Sequence, residues 1–167
     1  MRKQWGMPRS LRKVWLIVVL VWLSGLSEAH AMGVFDPLVL FSEVHGTVLN
    51  NGRPVEGAEL VQKVVWSDND KENPAQHALS DRSGAFRFPP IERSAGLLRL
   101  IPAQPIMLQS ITIRYQGVEY EAWKHSKGSY DPNTELDGKP IWLVCELTQK
   151  PDYEGKHYGI CRVMQHG

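Results

Sequence analysis

Two stretches decide the fold: HGTVLNNGRPVEGAEL at residues 45–60 and SDRSGAFRFPPI at residues 80–91. Residues 44–49 read as a strand, and Asn50-Asn51-Gly52 closes it with a turn in which positive φ is available. Pro54 withholds a ladder hydrogen bond, and Gly57 lets the chain bend into a second strand at 58–66. Asp81-Arg82-Ser83-Gly84 then makes another tight turn into 85–88, where Phe86 and Phe88 point to one face.

Outward from this core, no stretch keeps a helical period. Short alternating or continuous apolar runs recur between Gly, Pro, Asn and Asp, the pattern of an all-β chain. Further strands are expected at 97–101, 107–115, 118–123, 141–147 and 158–164, with an edge segment within 34–41. Gln116-Gly117 has the form of a two-residue hairpin turn. Pairing Tyr115 with Val118 sets Ile113 against Tyr120 and Ile111 against Ala122 on one face, and Arg114 against Glu119 on the other. The only cysteines are Cys145 and Cys161. If 141–148 and 157–164 form a hairpin around 149–156, the two lie opposite one another within disulfide range.

Gly46, Val48, Asn51, Gly52, Pro54, Val55, Gly57 and Ala58, followed by Ser80, Asp81, Gly84, Phe86 and Phe88, resemble the pattern of the carboxypeptidase regulatory-like, or transthyretin-like, domains. The likeness covers about residues 43–101. It implies a Greek-key β-sandwich of about seven or eight strands, and it implies accessory or binding roles rather than one activity. Of the enzymes on related folds, hydroxyisourate hydrolase carries a C-terminal Tyr-Arg-Gly-Ser that this chain lacks, ending instead Val163-Met164-Gln165-His166-Gly167. Intradiol dioxygenases hold iron with two Tyr and two His, and no such ligand spacing is recognisable.

Residues 1–13 carry Arg2, Lys3, Arg9, Arg12 and Lys13 without an acid, an apolar run follows at 14–23, and Ala29-His30-Ala31 offers a cleavage site. This is the form of a cleavable secretory signal over residues 1–31, leaving a single β-sandwich domain at 32–167 in the periplasm or outside the cell. The apolar run is shorter than a spanning helix needs, so no stable membrane anchor is expected. Nineteen basic and eighteen acidic residues in the whole chain become fourteen and seventeen after residue 31, a net charge of −3. A mildly acidic domain with no basic stripe offers no footprint for nucleic acid. An exported compartment favours a Cys145–Cys161 disulfide.

The chemistry is sparse. His45, His77, His125, His157 and His166 are scattered, Ser126 and Ser129 beside His125 make no nucleophile elbow, and Asp68, Asp70 and Glu72 lack the rest of a calcium loop. No catalytic residue, metal site or cofactor is expected, and the chain reads as a non-enzymatic binding protein. The longest polar interval, KHSKGSYDPNTELDGK at 124–139, reads as a loop, either a solvated connection or one that carries the binding function. Its Tyr130, Asp131, Glu135 and Asp137, together with Trp66, are the candidate partner contacts. Trp123 is a further candidate aromatic anchor, with core packing the competing reading for it and for Trp142. The partner expected is a protein, either an incoming antibacterial toxin of the type VI secretion kind that this chain neutralises as an immunity protein, or an envelope component. A carbohydrate- or envelope-binding accessory domain is the alternative.

Overall fold

The computed structural model describes residues 36–66, 73–96 and 105–164. The expected signal at 1–31, the strand at 97–101 and the acidic row Asp68, Asp70, Glu72 lie outside them.

The chain is an all-β, sandwich-like fold held by one disulfide, Cys145–Cys161. The described residues form thirteen strands rather than seven or eight; the excess comes from short segments without a run of alternation. The strands are β1 (Leu38–Phe41), β2 (Val44–Asn50), β3 (Arg53–Pro54), β4 (Glu59–Val65), β5 (Ala75–Leu79), β6 (Ala85–Phe88), β7 (Ile91–Arg93), β8 (Met107–Tyr115), β9 (Val118–Lys127), β10 (Ile141–Glu146), β11 (Asp152–Glu154), β12 (His157–Gly159) and β13 (Cys161–Val163). A five-stranded sheet runs β13-β10-β2-β3, with β6 also on β2; a six-stranded sheet runs β11-β12-β9-β8-β4-β5; β1 pairs with β7.

Alternation explains the packing. From the first sheet Val44, Val48, Phe86, Phe88, Ile141 and Leu143 turn inward; from the second come Leu60, Val64, Met107, Ile111, Ile113 and Trp123, all in one buried cluster. Gly46 is demanded by this packing, because a Cβ there would stand 2.4 Å from the Phe86 ring. The turns match their sequences. Asn51 and Gly52 both have positive φ, as do Gln116 and Gly117, which is the hairpin geometry those pairs favour. Asp81 Oδ1 accepts from the Ser83 amide at 2.8 Å, the Ser83 hydroxyl at 2.6 Å and the Ala85 amide at 3.0 Å, fixing the second turn.

The β8–β9 hairpin keeps the expected register from Tyr115↔Val118 to Thr112↔Glu121, including the Arg114–Glu119 ion pair at 2.8 Å. Beyond it the register shifts, and Ile111 faces Trp123 rather than Ala122. Ala122 is the extra residue of a bulge, and the Glu121 carbonyl before it accepts from the Ile160 amide at 2.9 Å. Cys145 pairs with Cys161 across β10 and β13. The chain between them is not a plain loop: β11 and β12 cross to the six-stranded sheet, where Tyr158 lies beside Lys124. Gly159 makes this crossing possible; it has φ +152°, and a Cβ would stand 2.1 Å from the Ala122 carbonyl.

Candidate partner-binding surface

The long polar interval starts later than its composition suggests. Residues 124–127 continue β9, and the connection to β10 runs from 128 to 140 around a 3-10 turn at Thr134–Leu136. The connection is fastened from inside. Lys127 and Glu135 are 1 % and 0 % exposed in their side chains and form an ion pair at 3.1 Å. Glu135 Oε1 also accepts from the Ser42 amide at 3.0 Å and Gln109 Nε2 at 2.8 Å, and Oε2 accepts from the Ser42 hydroxyl at 2.8 Å. Lys127 donates further to Ser42 Oγ at 3.2 Å, which takes the Asn133 amide at 2.7 Å.

Burial alone would raise the Glu135 carboxyl, yet the Lys127 charge and the hydrogen bonds from Gln109 and Ser42 hold it below the usual carboxylate range. Burial pulls the Lys127 ammonium below its ordinary value, against the opposing charge of Glu135. A buried charge is tolerable only when paired and hydrogen-bonded, as this one is. Glu135 is thus turned away from any partner; of the expected contacts it is the one the structure spends internally. Lys127, Ser42 and Gln109 went unnoticed in the sequence. The signal for Lys127 was the period of two, which carries inward facing from Trp123 through His125 to Lys127.

Tyr130, half-buried, gives its backbone carbonyl to the Val39 amide at 3.0 Å, and its hydroxyl accepts from Trp66 Nε1 at 3.1 Å. Two of the candidate contacts, 64 residues apart, are therefore in direct contact. At the same end of the six-stranded sheet, Val65 pairs with Leu108 on the outer face, and Ile106 precedes it by two residues. These side chains are 40 %, 54 % and 69 % exposed. Asp131 is half-buried, its amide accepted by Ser129 Oγ. Asp137 is exposed and binds Lys156 at 2.6 Å, a contact that holds its carboxyl below the usual value. Trp123 is fully buried and belongs to the core, while Trp142 stacks on His45 with ring centres 4.4 Å apart.

Two clefts flank the loop. One, of ≈ 680 Å³, is lined by Leu136, Asp137, Lys139, Lys156, His157 and Met164. The other, of ≈ 430 Å³, is lined by Ser42, Glu43, His45, Pro132, Asn133 and Trp142; Pro140 borders both. Glu43 receives Arg87 at 2.5 Å and His45 at 3.0 Å, and the hydrogen bond and charge of Arg87 above all keep its carboxyl low. Ser42, which borders the second cleft, donates its hydroxyl to the buried Glu135 carboxylate and is held in that anchoring network. Among the described residues, no group of three or more His, Cys, Asp or Glu is placed to hold a metal ion.

Fold and surface together define a disulfide-stapled β-sandwich with one internally anchored loop. The chain belongs to the family described as a domain of unknown function (DUF6795), whose model matches residues 44–150. The match begins with β2 and ends just past β10, so it takes in the anchored loop and Cys145 but not Cys161. No curated protein and no solved structure matches the chain.

Proposed function

We propose that this is an exported protein-binding module, and that it serves as an immunity protein neutralising an antibacterial toxin delivered from outside. The observation that carries the binding reading is the exposed apolar row Val65, Leu108 and Ile106 at one end of the six-stranded sheet. Exposed apolar side chains grouped on one sheet face are a usual mark of a protein contact. Export is supported by the signal-like residues 1–31 and by the disulfide. No helix among the described residues is long and apolar enough to cross a membrane. The resemblance to carboxypeptidase regulatory-like domains agrees with a binding role, and the immunity assignment itself rests on the export reading and the disulfide-stapled binding domain. The carbohydrate alternative calls for coplanar exposed aromatics, and exposed Tyr153 lies tilted by 59° against half-buried Tyr158.

The test uses the protein without residues 1–31 as bait on envelope and culture fractions, beside the variant Leu108→Asp. The wild type should retain one dominant protein, and the variant should lose it while its circular dichroism and melting stay unchanged. A strain lacking the gene should be killed by the matching toxin and protected by the wild type only. Equal capture by both baits would overturn the proposed surface, and capture without protection would overturn immunity.

A further inference from the structure

Sheet edges invite further strands unless charge, proline or a bulge guards them. Other edges of the two large sheets carry charge or proline: β11 has Asp152 and Glu154 after Pro151, β3 is Arg53–Pro54, β6 contains Arg87, and β13 contains Arg162. The edge strand β5, with sequence AQHAL, contains no Lys, Arg, Asp, Glu or Pro. It pairs with β4 without a bulge, from Glu59↔Leu79 to Lys63↔Ala75. Among the described residues it has no neighbour on its other side.

The direction of its free groups follows from the ladder. The Val64 amide donates to the Pro74 carbonyl at 3.1 Å, and the Ser80 amide donates to the Ala58 carbonyl at 3.0 Å. Pairs in an antiparallel ladder alternate between exchanging hydrogen bonds and not exchanging them. Between Pro74 and Ser80, therefore, Gln76 and Ala78 direct their N–H and C=O toward β4. Ala75, His77 and Leu79 direct theirs outward, and the same three residues are the exposed ones. These positions are symmetric about His77.

We propose that β5 is a self-association edge, on which a second copy of this chain pairs antiparallel about a two-fold axis at His77. In that register each Ala75 faces a Leu79 of the other copy and the two His77 face one another. All three pairs are hydrogen-bonded, giving about six main-chain hydrogen bonds. A small side chain meets a large one at both ends, and no like charges oppose. The symmetry selects a second copy over an unrelated extended segment, since every outward group finds its partner in the same sequence. An edge of five residues buries little surface, so the dimer is weak and depends on concentration.

Sedimentation equilibrium across a wide concentration range should show a monomer–dimer equilibrium. His77→Pro should abolish it, because it deletes an outward N–H and leaves the β4 ladder intact, while His77→Ala should retain it. Under oxidising conditions His77→Cys should form a covalent dimer, its Cα atoms about 5.5 Å apart. Leu79→Cys should not, because its two copies are about 13 Å apart along the strands. A protein monomeric at every concentration overturns the proposal, as does a dimer indifferent to His77→Pro with no His77→Cys cross-link. A wild-type monomer whose capture of another protein is lost in His77→Pro would assign the edge to that protein's strand, against a second copy.

Discussion

His157 shows how a single ring is fitted to two neighbours at once. It is 2 % exposed, stacks on Trp123 at 4.1 Å, and places Nε2 3.2 Å from the Cys161 carbonyl and 3.3 Å from Glu154 Oε2. Burial holds its pKa below the ordinary 6.5, outweighing the pull of the Cys161 carbonyl and Glu154. Below that value the unfolded chain gains a proton that the folded chain refuses. This contribution to stability is therefore complete above the ordinary histidine range and is lost as pH falls through it. The melting temperature should accordingly drop between about pH 7.5 and about pH 5.5, and His157→Phe, which keeps a stacking ring, should flatten that slope. Glu43, Asp81, Asp137 and Glu146 have lowered carboxyl pKa values and titrate further into acid, so they leave this window clear. A slope unchanged in the His157 variant would locate the titration elsewhere.

At the scale of elements, the 128–140 connection behaves as a part of the core that happens to reach the surface. Lys127→Met leaves the buried Glu135 carboxylate without its cation and should cost about 3–5 kcal/mol in denaturant unfolding. Glu135→Gln should cost a similar amount by stranding Lys127, and the double variant should cost clearly less than the two singles together. Additive losses would show that the pair does not act as a unit. This anchoring was the least legible part of the sequence, because a buried Lys and Glu are spelled like surface residues and composition assigned both to a solvated loop. The hairpin from 112 to 121 was legible to the residue, since the Gln116-Gly117 turn fixes its register locally. The bulge at Ala122 was not, because nothing near it in sequence announces the Ile160 amide that holds it. Of the expected contacts, the Trp66–Tyr130 meeting depends on long-range topology, and the types of both residues gave only their suitability as anchors.

For the molecule as a whole, the disulfide joins cysteines sixteen positions apart, and the chain between them visits both large sheets before returning. Replacing both Cys145 and Cys161 by Ala should lower stability by about 3 kcal/mol in denaturant, with the β-sheet circular dichroism retained at low denaturant. A loss of signal without denaturant would show that the bridge is needed to fold at all. The Cys145↔Cys161 opposition could be read from the spacing of two apolar runs, whereas the short strands β3, β5, β7 and β11 could not, since they are too brief to show a period.

The parallel pairing of β2 with β10 has a bearing on the order of assembly. Val44 and Ile141 stand side by side although 97 residues separate them. The centre of the five-stranded sheet therefore stays open until nearly the whole chain is available, and closing so large a loop is slow. A polypeptide built this way remains threadable for longer than one made of local hairpins. Its last strand arrives with the cysteine that locks it.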